Sequence, residues 1–130
     1  GRMKACETAS ERRTRLTLRG RPLIGERIGI QLDHAAPNRC AFLIAATSPV
    51  YLSLPLAANE ASCLLLFEGS GVYDAVPRMT NAAGAVLDFE VTIPQSVADV
   101  PIYLQWVVLD PLAPNRMGVS STPVHHLRAR

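Results

Sequence analysis

Short strand-like segments separated by turn residues run along the chain, and this spacing constrains the fold more than any other feature. The segments recur at intervals of about 8–12 residues, with glycine, proline or asparagine between them. No long amphipathic helical pattern interrupts the series. The spacing predicts an all-β fold, an antiparallel β-sandwich of the immunoglobulin-like or jelly-roll kind, with about seven to nine short strands.

The strand predictions rest on apolar and polar residues that alternate along the chain. The clearest alternation spans residues 85–93, where every second residue from Ala85 to Ile93 is expected on one buried face. Residues 72–80 are interrupted by Pro77, and proline cannot donate to a β-ladder, so this strand is expected at a sheet edge. The other predicted strands are 13–19, 27–33, 40–46, 50–54, 63–67, 102–109 and 123–128.

Length and composition fit one domain. A chain of 130 residues can bury roughly two-thirds of its unfolded surface, which is enough for one core. The composition is 48% hydrophobic with 10 prolines, too apolar for a disordered chain and too rich in proline for an ordinary helical bundle. We therefore expect a single β-sandwich domain over residues 13–130, preceded by an amino-terminal extension over residues 1–12.

Membrane-spanning segments and export signals are both marked by apolar runs. Because the chain lacks a run of about 18 uninterrupted apolar residues, no transmembrane segment is expected. The sequence begins at Gly1 without a hydrophobic signal core, which is compatible with a cytosolic protein, with a processed mature chain and with a piece cut from a longer chain.

Basic residues concentrate near the amino end, although the net charge is only +2. Residues 1–30 carry eight basic and three acidic side chains, a balance of +5, whereas the rest of the chain carries five basic and eight acidic ones, a balance of −3. Such a segment could contact an acidic partner or phosphates, but arginines also protect solvated edge strands from aggregation, and we favour that second interpretation. Aromatic side chains that could stack on bases lie outside the segment, so no nucleic acid is expected as a partner. The candidate interaction residues are Arg12, Arg13, Arg15 and Arg19.

Catalytic side chains do not form a recognisable arrangement in the sequence. His34 falls in a predicted turn, and His125 and His126 are adjacent, so on a strand they point to opposite faces. Asp88 and Glu90 would lie roughly 7 Å apart on one strand face, in the range of inverting glycosidases, but an ordinary solvent-facing pair is the favoured interpretation. We predict no enzyme activity, no cofactor and no metal site.

One loop pattern, Leu-Asp-x-x-Ala-Pro-Asn-Arg, occurs twice, at residues 32–39 and 109–116. Aspartate and asparagine oxygens are ligands for calcium, so a pair of calcium loops is one interpretation. Each loop offers only two such side chains, and these residue types also bond their own backbone in proline-containing turns. The repeat therefore favours two structural turns.

The aromatic residues give an alternative function. Trp106 lies in an apolar strand and is expected in the core, while Tyr103, three residues earlier, faces the other side. Tyr51, Tyr73 and Tyr103 would make a sugar-stacking face if they were exposed and coplanar. A carbohydrate-binding module is the alternative that follows.

The stretch YLQWVVLDPLAPN at residues 103–115 is the most distinctive in the chain. With residues 22–25, 35–38, 62–66 and 117–121, it resembles a β-sandwich domain common in large exported bacterial proteins, and the similarity spans most of the chain from about Cys6 onward. The resemblance implies a non-catalytic structural or interaction domain, a module or subunit of a secreted, periplasmic or cell-surface assembly. Its implied partners are other protein subunits.

Three cysteines allow two arrangements. An exported chain would carry one disulfide and one free thiol, and a chain in a reducing compartment would carry three free thiols. The resemblance implies a bridge between Cys6 and Cys63. Cys40 departs from that pattern, so a Cys40–Cys63 bridge between two apolar strands remains the alternative.

Overall fold

The structure is a computed structural model that describes residues 14–47, 51–55, 62–66, 72–112 and 118–130, with the backbone alone described for 51–55, 62–66 and 72–76. One 3-10 turn, η1, spans Gln95–Val97. The strands are β1 Arg15–Arg19, β2 Arg27–Asp33, β3 Cys40–Ala46, β4 Tyr51–Pro55, β5 Ser62–Leu66, β6 Val72–Met79, β7 Glu90–Thr92, β8 Pro101–Leu109, β9 Val119–Ser121 and β10 His125–Arg128.

Two antiparallel sheets make up the sandwich. The first has the order β1-β2-β7, and the second has the order β10-β8-β3-β6 with β9 also paired to β8. Strands β4 and β5 form a separate two-stranded hairpin. The predicted all-β antiparallel sandwich is confirmed. The chain crosses between the sheets after β2, after β6 and after β7, an order that resembles the immunoglobulin-like arrangement.

The core lies between the inner faces of the two sheets. Trp106 of β8 is fully buried, and its ring meets Phe89 edge-on, with ring centroids 5.5 Å apart and an interplanar angle of 85°. Ile28 and Leu32 of β2 pack on the same cluster from the opposite sheet. The expected position of Trp106 in the core is confirmed. The space between two packed sheets buries a large aromatic side chain completely.

Strand β6 lies at the edge of the second sheet, as Pro77 predicted. The Thr80 amide donates a hydrogen bond to the Arg39 carbonyl (2.8 Å). This bond shows which residue pairs of the β3–β6 ladder are hydrogen-bonded and which are not. In that alternation the Pro77 nitrogen lies on the outer side, where a proline costs no ladder bond.

The long strand predicted over residues 85–93 is wrong in its extent. Only Glu90–Thr92 forms a strand, and one isolated bridge joins Val86 to Leu32. Val86 is buried, whereas Leu87, assigned to the buried face by the alternation, is 47% exposed.

Two local features limit this strand, a turn before it and an extra residue within it. The Asn81 side chain accepts hydrogen bonds from the amides of Ala83 (2.9 Å) and Ala85 (3.0 Å). These bonds hold the chain in a turn up to residue 85. Beyond it, three residues lie between the Val86–Leu32 bridge and the Glu90–Gly29 pair, where β2 has only two, so the extra residue forms a bulge that shifts the alternation. Alternation of residue types carries no information about such a bond.

Strand β9 was not predicted, and it shares one side of β8 with β10. Val107 pairs with Ser121, and Leu104 pairs with His125, so the β9–β10 side holds one more residue than β8 between these pairs. The extra residue makes a β-bulge around Pro123, a position that proline tolerates. Predicted strand 123–128 is therefore only the second half of a longer, interrupted strand.

The predicted amino-terminal extension lies outside the described residues, and its boundary stays a prediction. Within the described part of the chain, no helix has the length and apolar character needed to cross a membrane.

Candidate interaction site

Strand β7 forms an exposed edge of the first sheet. All three of its residues are exposed. The Ile30 amide donates to the Phe89 carbonyl (3.0 Å), and the Ile93 amide donates to the Glu26 carbonyl (3.1 Å). Backbone groups of an antiparallel strand alternate between its two sides, so the amides and carbonyls of Glu90 and Thr92 point away from β2. The edge thus offers two N–H and two C=O groups to a further strand.

An apolar cleft of about 290 Å³ opens between the two sheets beside β7. Among the described residues that line it, Thr92 is the only polar one. The walls come from both sheets and from η1, and they include Ile30, Leu43, Ala45, Phe89, Leu104 and Leu127. The lining favours an apolar group and offers a charged group no side-chain partner.

Val91 marks the mouth of this cleft. It pairs with Ile28, so both side chains lie on the inner face of the sheet. Ile28 is 2% exposed, but Val91 is 40% exposed. An inward-facing valine stays accessible because the first sheet ends at β7 in the described part of the chain.

Arg78 of β6 places a positive charge beside the cleft. It pairs with fully buried Ala41, so it lies on the inner face at the edge of the second sheet. Its guanidinium carbon lies 5.0 Å from the centroid of the Phe89 ring, a cation–π contact, and its Nη1 donates to the Pro77 carbonyl (2.9 Å). Among the described residues, Arg78 forms no ion pair.

The predicted interaction arginines lie away from this cleft. Arg12 and Arg13 fall outside the described residues. Arg15 and Arg19 are exposed on β1, the opposite edge of the first sheet. Arg19 crosses Gly29 of β2, and its Nη2 donates to the Leu87 carbonyl (2.7 Å). Arg19 therefore links β1, at one edge of the sheet, to the segment before β7, at the other edge.

The cysteines are described only in part. Cys40 begins β3 and is a half-buried free thiol, so the alternative Cys40–Cys63 bridge is not formed in this structure. Cys63 pairs through its backbone with Leu54 in the β4–β5 hairpin. Cys6 lies outside the described residues, and the Cys6–Cys63 bridge stays a prediction.

The histidines and the two candidate carboxylates do not converge. His125 is half-buried, and burial lowers its pKa, with a smaller contribution from the charge of His126. His126 is exposed and stacks on Tyr103 at 4.9 Å between ring centroids. Asp88 lies outside β7, while Glu90 forms an exposed ion pair with Arg27 at 3.6 Å. His34 is exposed in the turn after β2.

The repeated loops behave as turns where they are described. Asn38 has a φ of 54°, and the Asp110 side chain accepts a hydrogen bond from the Leu112 amide (3.2 Å). Residues 113–117 of the second loop lie outside the description. Over the described residues, no group of three or more histidine, cysteine or acidic side chains could hold a metal ion.

Of the three tyrosines proposed for sugar binding, only Tyr103 has a described side chain, because those of Tyr51 and Tyr73 lie outside the description. Trp106 is fully buried and cannot stack on a ligand at the surface. Tyr103 is half-buried and covered on one ring face by His126.

A comparison with protein-family models, with curated proteins and with solved structures found no match. The site must therefore be interpreted from its own geometry. The β7 edge and the cleft were not predicted from the sequence, because the alternation over residues 85–93 indicated one long strand with a buried face. Pro77 indicated only the edge of the second sheet, at β6.

Proposed function

We propose that this chain is a non-catalytic interaction domain of an exported protein, a module or subunit of a cell-surface or secreted assembly, and that its partner adds a strand to β7. The observation that carries the proposal is the exposed β7 edge, where the backbone groups of Glu90 and Thr92 point outward. An open edge of this kind is a template for a partner strand.

The contrast with β6 supports this choice of edge. Strands β6 and β7 are both sheet edges. In β6, however, Pro77 has no N–H to offer at its outward-facing position. Proline and charged residues are common protections of an edge. Strand β7 has no proline, and its one charged side chain, Glu90, is paired with Arg27 of β2. The exported setting rests on a different basis, the resemblance of residues 103–115 to domains of exported bacterial proteins.

A peptide selection tests the strand addition. Random nine-residue peptides displayed on phage would be selected on the full chain, and the enriched peptides would then be measured on Glu90→Pro and Glu90→Gln. Glu90→Pro removes an outward amide, whereas Glu90→Gln keeps the amide and removes the charge. We expect Glu90→Pro to weaken binding about tenfold, the cost of roughly one backbone hydrogen bond, and Glu90→Gln to bind nearly as the wild type does.

Two results would contradict the proposal. One is a selection that enriches no binding peptide. The other is a set of enriched peptides that bind Glu90→Pro as tightly as the wild type, when circular dichroism shows that the variant is folded.

A further inference from the structure

We infer that the apolar cleft beside β7 is a specificity pocket for the strand that pairs with this edge, and that the strand carries bulky aliphatic residues at alternate positions and an acidic residue at the Arg78 end. This inference rests on the proposed strand addition and names the chemistry of the partner. Its occupant is an extended peptide segment of another protein.

The register of β7 determines where the partner's side chains go. Phe89, Val91 and Ile93 all line the cleft, and Val91 shares the inner face with its β2 partner Ile28. A strand hydrogen-bonded to Glu90 and Thr92 continues the same pleat, so every second side chain enters the space between the sheets. Successive inward side chains are about 7 Å apart along the strand.

The size and chemistry of the cleft determine which side chains fit. Its volume is about 290 Å³. A dry apolar cavity of about 150 Å³ already holds a benzene molecule, so two bulky aliphatic groups fit here. Because the lining offers a polar group almost no hydrogen-bond partner, a serine or lysine at these positions would lose its hydration without compensation.

Charge complementarity orients the partner strand. Arg78 lies over Phe89, at one end of the row of inward residues Phe89, Val91 and Ile93. It forms no ion pair with the described residues. A carboxylate on the partner, opposite Phe89, would meet this guanidinium and could accept two parallel hydrogen bonds from it. The opposite orientation of the strand would bring an apolar side chain to the arginine.

A peptide strand suits this position better than a small apolar ligand does. The cleft alone would accept many apolar molecules. The mouth, however, lies directly beside the outward amides and carbonyls of Glu90 and Thr92. Only a polypeptide supplies backbone groups at this spacing together with side chains for the cleft.

Calorimetric titration of synthetic peptides tests the inference. The first nine-residue peptide alternates leucine with threonine and carries one glutamate at the end of the leucine series, and in the second peptide serine replaces the leucines. Each is measured against the wild type, Ala45→Leu and Ala82→Leu. Ala45→Leu fills the cleft from β3, whereas Ala82→Leu adds the same group at an exposed turn.

We expect the leucine peptide to bind at least about tenfold more tightly than the serine peptide, because burial in the cleft removes the apolar surface of each leucine from water. Ala45→Leu should remove that preference, and Ala82→Leu should keep it. If Ala45→Leu fails to fold, the difference between the two peptides on the wild type decides the matter.

The electrostatic part is tested separately. Arg78→Gln should weaken binding of the glutamate peptide but leave a peptide with glutamine at that position unchanged. Equal losses for both peptides would overturn the proposed contact with the carboxylate.

Failure of this inference is distinguishable from failure of the strand addition. If Glu90→Pro weakens binding while Ala45→Leu and the serine peptide have no effect, the inference is wrong and the edge remains the binding site. If Glu90→Pro has no effect, the strand addition itself is wrong. Decanoic acid that binds more tightly than the leucine peptide does, and equally to Glu90→Pro and the wild type, would make the cleft a small-ligand site and overturn the inference.

Discussion

Gly84 and Gly25 both have positive φ angles, 74° and 83°, but their surroundings differ. A Cβ at Gly84 would collide with the Ala35 carbonyl oxygen, whereas a Cβ at Gly25 would meet open space. The Gly84 carbonyl also accepts a hydrogen bond from the Ala35 amide (2.9 Å), so the two segments cannot easily separate.

We therefore expect Gly84→Ala to lower the free energy of unfolding much more than Gly25→Ala. The left-handed conformation alone costs an alanine about 1–2 kcal/mol, and this is the whole effect expected at Gly25. At Gly84 the collision should add at least about 2 kcal/mol. Urea denaturation of both variants measures the difference, and equal losses would show that the close approach to Ala35 does not exist in solution.

His125 should make the stability of the domain depend on pH. Its pKa is lowered first by burial and then by the charge of His126, and Arg15 lines the same small surface hollow. Around the ordinary histidine pKa, the unfolded chain therefore binds a proton that the folded chain resists. The free energy of unfolding is then higher above that pKa and falls as the pH decreases.

Unfolding of the wild type, His125→Gln and His34→Asn between about pH 7.5 and about pH 5.5 measures this dependence. We expect the wild type and His34→Asn to lose stability over this interval, and His125→Gln to lose less. Parallel pH curves for all three proteins would rule out the contribution of His125.

At the scale of elements, Gln105 holds the bulge between β9 and β10. This buried side chain donates to the Thr122 carbonyl (2.9 Å) and to the Ser121 hydroxyl (3.2 Å). The Trp106 amide donates to the Thr122 hydroxyl (3.1 Å) on the same short segment. A buried glutamine in an apolar strand thus has a structural role, because the bulge leaves a carbonyl without a regular ladder partner.

Gln105→Leu should destabilise the domain by about 1–3 kcal/mol, the cost of leaving a buried carbonyl without its donor. Gln31→Leu on β2 is the matched control, since Gln31 is only half-buried, and we expect a change within about 0.5 kcal/mol there. Denaturant titration compares the two variants. If Gln105→Leu left the free energy of unfolding unchanged, the bulge would not depend on the Gln105 side-chain amide.

The bounds of β2 and β3 and the edge position of β6 could be predicted from the sequence, because each depends on residues within or beside the strand itself. The predicted bounds of β2 and β3 agree with the structure, since turns containing glycine, proline or asparagine flank both strands. Pro77 located an edge strand correctly. The prediction for segment 85–93 failed because the Asn81 side chain holds a turn up to Ala85, and because an extra residue between Val86 and Glu90 shifts the alternation.

The candidate site could not be predicted from the same patterns. Val91 is apolar and alternates correctly, but its exposure depends on whether another strand follows β7 in the sheet. The cleft likewise depends on how far two sheets, distant in sequence, close on each other. Information about these distances is absent from local residue types.

At the scale of the whole molecule, the proposed exported setting predicts one disulfide and one free thiol. Intact-mass measurement of the native protein after alkylation, with and without reductant, counts the thiols directly. We expect a single labelled cysteine before reduction and three after it, and peptide mapping should assign the bridge to Cys6 and Cys63, with Cys40 free. Three labelled cysteines before reduction would count against export.

The central claim is that β7 is an open edge which a partner strand completes. Amide hydrogen exchange, followed by NMR, reports on this edge residue by residue. In the free protein we expect fast exchange at Glu90 and Thr92, whose amides point outward, and slow exchange at Val91 and Ile93, whose amides point to β2. Saturation with the leucine peptide should slow exchange at Glu90 and Thr92. Unchanged exchange rates at these two amides in the saturated complex would contradict the proposed strand addition.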